Sequence, residues 1–578
     1  MSLPNDKRSF AQMFNDPGVF GVQEARKLGV VVGGSLSKGL VIKVEADQSI
    51  EELAVGRYIV VHGDNKRFFC MITDIVLDNT NPEIQSTPPD ISDPFLRDIY
   101  KGTAAFGKIH AQPMLVIDEA EGKPKPVKTI PGHFTNVMNA TVEDVNAVFG
   151  TEDELHFNVG TPLELDQTQI NLNLKRLVER SIGIFGKSGT GKSFLTRLML
   201  AGIIARNQAS ALIFDMHNDY GWAVPDERGY QSKGLKQLLQ DRVSICTLDG
   251  ESSRKRGARL DFEIKLGYED IDPEDLEMLR ETMGFTDAML DGARTLRNKW
   301  KAGWVTKLID ATNDDFDEIE ATTPVRAGTL AGLQRRIQRF RKWEFLVPES
   351  TGDSVKNIIT LIEQGKSVVL EFGRYGNSLE AYILVANYLT RRIHEHYVDK
   401  VERALGDTGL EPNQLLIVIE EAHKFLDPRI ASQTIFGVIA RELRKYKVTL
   451  MIVDQRPSGI DEEVMSQIGT RITALLDNER DIQAVLTGIS GAAGLREVLA
   501  RLDTKQQAII MGHAVPMPVV VKTRTYDEEF YKAIEGEISG RPLYAIKKTS
   551  DGNGKNGSDG TPPKPPKLGS GGGDRRIR

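Results

Sequence analysis

The 578 residues exceed what one hydrophobic core organises and imply about three or four units of roughly 100–200 residues each. Apolar residues at 40% and charged residues at 27% describe an ordinary globular chain, and two cysteines, Cys70 and Cys246, leave neither a disulfide framework nor a zinc pattern. A net charge of -7 excludes a surface that is basic all over, so any contact with nucleic acid is confined to a local patch. There is no apolar run of spanning length, and Met1 to Pro17 is polar and of mixed charge. Neither a membrane anchor nor a secretory signal is expected, and the expected location is cytoplasmic.

In chain order, an N-terminal segment (1–26) precedes a region of short β-rich runs and turn residues (27–170): Gly29–Val32, Leu40–Val44, Tyr58–His62, Phe68–Val76 and Met114–Asp118. A small β-barrel or sandwich is the economical reading. From Arg180 the pattern changes, with an apolar strand (Ile182–Phe185), a Gly-rich loop and a helical stretch from Phe194 to Arg206. Further apolar runs at Ala211–Phe214, Val243–Thr247, Val368–Phe372, Leu415–Ile419 and Val448–Val453 suit a parallel sheet covered on both faces. The expected class is therefore α/β, with a doubly wound core in two parts, 171–267 and 347–548. Between them, 268–346 reads as a helical insertion that starts with Asp272 as N-cap and Pro273 at the first helical position. The tail, 549–578, is Gly, Ser, Pro and charge, and is expected to be disordered.

The segment Gly186-Lys187-Ser188-Gly189-Thr190-Gly191-Lys192-Ser193 satisfies the P-loop pattern and falls between a strand and a helix. Glycines let backbone N–H groups converge on the phosphates of ATP, Lys192 reaches the β- and γ-phosphates, and Ser193 ligates Mg²⁺. A phosphate cradle also needs a group that activates water. The strand Leu415–Ile419 ends in Glu420 and Glu421, of which Glu420 would assist Mg²⁺ and Glu421 would orient or deprotonate the attacking water. The alternative is an acidic first helical turn. The strand Val448–Val453 leads into Asp454-Gln455-Arg456-Pro457, where Gln455 is the candidate sensor of the γ-phosphate, against a plain strand-ending turn. Asp215 ends the strand after the P-loop helix and is a further candidate for the Mg²⁺ shell, whereas His217 reads as a structural histidine.

The P-loop, Asp-Met-His-Asn-Asp-Tyr (215–220), Glu-Glu-Ala-His (420–423), Arg-Glu-Leu-Arg-Lys-Tyr (441–446) and Gln-Arg-Pro-Ser (455–458) together resemble the HerA-type ATPases of the HerA–FtsK superfamily. Order and spacing fit from about Lys27 to Phe530. The resemblance implies a RecA-like core behind an N-terminal barrel, a homo-hexameric ring, and ATP-driven translocation on double-stranded DNA. It also implies a partner, either a nuclease of the NurA type in end resection or another effector in antiviral defence. Asn218-Asp219 replaces the family's usual Gly-Glu, Leu443 replaces a small residue, and Glu420 stands where many P-loop ATPases carry Asp. Arg444 matches the family's second arginine, and Arg441, three residues earlier on a helical stretch, shares its face. Both are candidates for an arginine finger, with a solvated helix face as the alternative.

For DNA, Arg254, Lys255, Arg256 and Arg259 read as a compact basic loop that meets phosphates without reading bases, or as a solvated surface loop. In the insertion, Leu330, Leu333, Ile337 and Phe340 form an apolar helical stripe with Arg335, Arg336, Arg339 and Arg341 around it, which reads as a packed helix with a wet basic face. The expected output is a ring motor on duplex DNA. The competing output is an ATPase that assembles or gates a partner effector.

Overall fold

The computed structural model describes residues 26–540, apart from 91, 102, 119–122, 164, 226–230, 350–352, 407–410 and 490–491. The tail expected to be disordered lies outside the described residues. The N-terminal strands are β1 (Lys27–Ser35), β2 (Gly39–Val44), β3 (Tyr58–His62), β4 (Lys66–Asn79), β5 (Ala105–Asp118), β6 (Pro124–Pro126) and β7 (Asn136–Asn139). They run in the order β2-β1-β7-β3-β4-β5-β6, and β2 also pairs with β5. Six strands thereby close into a barrel, with β6 added beside the second half of β5. Alternation along β5 supports the closure, because Gly107, Ile109 and Ala111 are buried while Lys108, His110 and Gln112 between and after them are only half-buried.

The second sheet has twelve strands. They are β8 (His156–Pro162), β9 (Ile170–Asn173), β10 (Ile182–Phe185), β11 (Ser210–Asp215), β14 (Val243–Thr247), β15 (Phe262–Glu263), β18 (Ser367–Glu371), β19 (Leu415–Glu420), β20 (Val448–Asp454), β21 (Thr470–Thr473), β22 (Gln507–Gly512) and β23 (Val519–Thr523). Two short ladders, β12 (Val224–Pro225) with β13 (Gln231–Ser232) and β16 (Leu266–Gly267) with β17 (Leu346–Val347), stand apart from it. The sheet order is β15-β14-β18-β11-β19-β20-β10-β21-β22-β23-β8-β9. From β15 to β21 every neighbour is parallel, and from β14 to β21 the strands are buried on both faces, as the apolar runs in most of them require. Beyond β21 the pairing turns antiparallel.

That antiparallel extension moves one expected boundary. Strand β8 lies within 27–170 and β9 begins at its last residue, yet β8 pairs with β23 and β9 with β8 to complete the second sheet, with Phe157, Val159, Ile170 and Leu172 buried in its core and not in the barrel's interior. The barrel is tied down at Tyr58, whose hydroxyl accepts from Val520 N at 3.2 Å. The insertion is helical and starts as the sequence signals, with Asp272 and Asp275 forming a capping box around Pro273. Its stripe of Leu330, Leu333, Ile337 and Phe340 is fully buried, and Arg339 and Arg341 pair with Glu380 and Asp310. Asp272 and Asp275 accept from Arg391 at 2.9 and 3.0 Å, which fixes the insertion to the long helix Leu379–Ala404.

Candidate nucleotide site

Parallel pairing brings the carboxyl ends of the central strands to one edge. Thr247, Glu371 and Asp215 are in register across β14, β18 and β11, and Phe185 is level with Asp454. This edge is where α/β sheets bind ligands, since helix N-termini converge there. β10 is buried along its whole length and releases the chain at Gly186 into the helix Lys192–Ala205. Gly189 and Gly191 have φ of 78° and 85°, a left-handed backbone that a side chain would strain. Lys192 Nζ donates to Lys187 O at 2.9 Å, and burial holds its ammonium below the ordinary lysine range, an effect opposed by the charges of Glu421, Asp454 and Glu420. Lys187 instead faces Asp477 at 3.0 Å, and Thr190 Oγ1 closes the loop on Lys187 O at 2.8 Å. The loop is therefore held by its own contacts, with a half-buried cation at its centre.

Across from it, Glu420 ends β19 and Glu421 turns left-handed at φ 49°. That turn separates the two carboxylates. Glu420 is buried, takes a hydrogen bond from Tyr220 OH at 2.8 Å, and keeps Oε2 without a partner among the described residues. Burial, with Asp215 nearby, pushes its carboxyl up to about 8. Glu421 is more open, and its Oε1 accepts from Gln455 Nε2 at 2.9 Å. The two residues expected to handle water and γ-phosphate thus bridge neighbouring strand ends. Behind them, the carboxylate of Asp454, which ends β20, accepts from His423 N at 2.7 Å and Arg456 N at 2.6 Å, and His423 Nδ1 lies 3.0 Å from it and 3.6 Å from Glu421.

Asp215 is placed otherwise than expected. Its oxygens accept from the backbone N–H groups of Asp219 (2.7 Å), Tyr220 (2.9 Å) and Gly221 (3.2 Å), so they bend the 215–221 loop and are not free for an ion. Burial pushes this carboxyl up to about 7, and the charges of Glu371 and Asp219 add to the effect. Asp219 is the carboxylate beside Ser193, at 3.5 Å from its hydroxyl. The nearby donors, Ser193 Oγ, Asp219 and the unpartnered Glu420 Oε2, are all hard oxygens and so fit Mg²⁺. Among the described residues no cluster of three or more His, Cys, Asp or Glu is built to hold a metal alone.

The other candidates divide. Arg441 closes the helix Ile435–Glu442 and donates to Ser432 O at 3.3 Å, within its own chain. A 3₁₀ turn, Leu443–Tyr446, follows that helix, so the face expected to be common to Arg441 and Arg444 crosses a change of helix type. The side chain of Arg444 lies outside the described residues. The expected basic loop begins in the last turn of the helix Gly250–Lys255, capped by Asp249, and continues from Arg256 to Arg259 as turn and loop. Arg254 pairs with Glu263 and Lys255 with Glu251, both at the surface, and Arg259 is exposed. Arg256 turns inward to fully buried Glu371 at 2.7 Å. Sequence reasoning did not single out Asp219, Tyr220, Glu371, His423 or Asp454; the one available signal was an acid ending an apolar strand, as at Glu371 and Asp454.

With this geometry in view, the family model of the HerA helicase central domain matches residues 157–393, and that of the HAS barrel domain matches 28–122. A probable helicase of Methanocaldococcus jannaschii is 30% identical over 373 residues, covering 62% of this chain and 69% of that protein. The chain belongs to the HerA family of P-loop ATPases. Two further relatives, both described as DNA double-strand break repair helicase HerA, are 25% identical. The one from Pyrococcus furiosus covers 70% of this chain and 76% of its own length; the one from Sulfolobus acidocaldarius covers 85% and 91%. The HerA central-domain match takes in the P-loop, the 215–221 loop and the insertion but stops before Glu420, so the second half of the site rests on the geometry above and on the longer alignments. No helix among the described residues is long and apolar enough to cross a membrane.

Proposed function

We propose that this HerA-family ATPase is a motor that moves along double-stranded DNA as a homo-hexameric ring, in concert with a nuclease or a defence effector. The observation that carries its chemistry is the Glu421–Gln455 bridge, spanning the ends of β19 and β20 on the same sheet edge as Lys192. The P-loop amides and Lys192 hold the phosphates of ATP, and the half-buried ammonium, bonded to a backbone carbonyl, supplies the point charge between β- and γ-phosphate. Glu421 holds the attacking water and accepts its proton, and it stands more open than Glu420 behind it, which is buried. Gln455 shares its amide with Glu421 and so registers whether the γ-phosphate is present. Mg²⁺, when bound near Ser193, Asp219 and Glu420, would neutralise charge developing on the phosphate oxygens. Arg444, with Arg441, is the proposed cation from a neighbouring subunit.

Relatives described as DNA repair helicases support DNA as the track, and the exposed cations Arg254, Lys255 and Arg259 are the proposed phosphate contacts. The deciding experiment is the ATPase rate of size-resolved protein with and without duplex DNA. Stimulation in a ring-sized fraction is expected. Hydrolysis indifferent to duplex would sink translocation and favour the gating of an effector.

A further inference from the structure

The inward turn of Arg256 is the feature that phosphate binding does not use. Its Nη2 donates to Glu371 Oε2 at 2.7 Å, to Ser253 Oγ at 3.1 Å and to Asn218 Oδ1 at 3.3 Å. Asn218 is left-handed, with φ 59°, and the same Oδ1 accepts from Gly373 N at 3.2 Å. Glu371 lies beneath the loop, for a Cβ on Gly221 would stand 2.8 Å from its Oε1. Asn218 precedes Asp219, which faces Ser193, and Tyr220, which holds Glu420. One guanidinium at the end of the basic helix thus fixes the loop that presents two side chains to the nucleotide site.

We propose that Arg256 is a positioning residue, acting through Asn218 to hold Asp219 where Mg²⁺-dependent nucleotide binding requires it. The inference rests on the reading of this edge as the nucleotide site. It also accounts for Asn218 in place of the family's usual glycine, since glycine has no side chain to meet Arg256. A charge-assisted bond from Arg256 to an amide oxygen restrains a left-handed turn that backbone preference alone leaves soft.

The test is equilibrium binding of fluorescently labelled ADP by the full chain, with Mg²⁺ titrated from a chelated start. Asn218→Gly keeps the left-handed backbone and the Arg256–Glu371 pair but cuts the link; Arg256→Gln cuts it from the other side. Both are expected to raise the Mg²⁺ concentration at half-saturation by about fivefold or more, in the range of a modest coupling between sites, and to leave Mg²⁺-free ADP affinity in place. If Arg256→Gln does not fold because it strands the Glu371 charge, Arg256→Gln with Glu371→Gln carries the same expectation. Wild-type Mg²⁺ dependence in Asn218→Gly would overturn the link, even if Arg256→Gln shifted, because that shift would then belong to the broken ion pair. Equal loss of Mg²⁺-free and Mg²⁺-bound affinity would also overturn it, as general damage to the fold. Wild-type protein that binds labelled ADP without any response to Mg²⁺ would instead defeat the nucleotide-site reading itself.

Discussion

Replacing Lys192 by Ala removes the cation at the centre of the P-loop, and nucleotide-dependent hydrolysis should fall to background in a coupled ATPase assay; wild-type turnover would end the assignment. Glu421→Gln keeps an oxygen to accept from Gln455 but nothing that takes a proton from water. It should bind ATP with wild-type affinity and hydrolyse it roughly 10²–10⁴-fold more slowly. Parallel loss of affinity and turnover would move the base elsewhere. These residues were legible because each belongs to a contiguous pattern, a Gly-rich loop after a buried strand or a polar pair at a strand's end. Asp219 was not, because its place beside Ser193 depends on Asp215 bending the loop with three backbone hydrogen bonds, a fold-back that no spacing announces. The inward pairing of Arg256 was hidden for a related reason. Its buried partner Glu371 is 115 residues away in sequence and meets it only through the register of β14 with β18.

At the scale of elements, long apolar strands were legible and short mixed ones were not. β21, Thr470–Thr473, carries Arg471 at its centre, so no apolar run marks it, although it is buried and pairs directly with the P-loop strand. The reason it tolerates an arginine lies in its neighbours. The guanidinium donates to Val485 O and Thr487 O at 2.6 Å and also to Met465 O, which are carbonyls at the ends of the helices Glu479–Leu486 and Glu462–Gln467. Burial, with no carboxylate beside it among the described residues, pulls Arg471 down to about 10. Arg471→Met should take the donor from Val485 O and Thr487 O, while Met465 O keeps Ile468 N at 3.3 Å, and destabilise the protein by about 2 kcal/mol, at about 1 kcal/mol or more for each carbonyl left without a donor; chemical denaturation measures this, and an unchanged midpoint would show that water replaces the guanidinium. The basic helix yields a different kind of prediction. Its ion pairs with Glu263 and Glu251 are exposed and worth little, so phosphates can compete for Arg254 and Lys255. Changing Arg254, Lys255 and Arg259 together to Gln should weaken duplex binding about equally for all sequences and flatten the log–log salt slope by up to roughly 0.9 for each phosphate that is no longer neutralised. An unaltered slope would locate the DNA contacts elsewhere.

The whole molecule tests the ring. Barrel and motor were legible as two regimes of hydrophobic period, but their seam was not. β8 and β9 follow the barrel in sequence and close the motor's sheet in space, and only the pairing of β8 with β23, near the other end of the described chain, reveals it. An assembly leaves still less trace in one sequence, because a residue that acts on a neighbour's nucleotide needs no partner in its own chain. Arg441 spends its guanidinium on Ser432 O within its own subunit, which makes Arg444 the better candidate for a cation delivered in trans. If it is one, Arg444→Ala should assemble as the wild type does and hydrolyse ATP roughly 10³–10⁵-fold more slowly, the range an arginine finger supplies. Mixing it with Lys192→Ala under conditions of subunit exchange should then restore part of the rate. At some interfaces an intact P-loop from the Arg444 variant meets an intact Arg444 from the Lys192 variant, and each such interface is competent. Wild-type hydrolysis by Arg444→Ala alone would remove the finger. No recovery in a mixture with proven exchange would mean that Arg444 serves its own subunit, or that one defective subunit stalls the ring; raising the wild-type fraction in mixtures with Lys192→Ala separates these, since a stalling ring loses activity more steeply than in proportion to the defective subunits it contains.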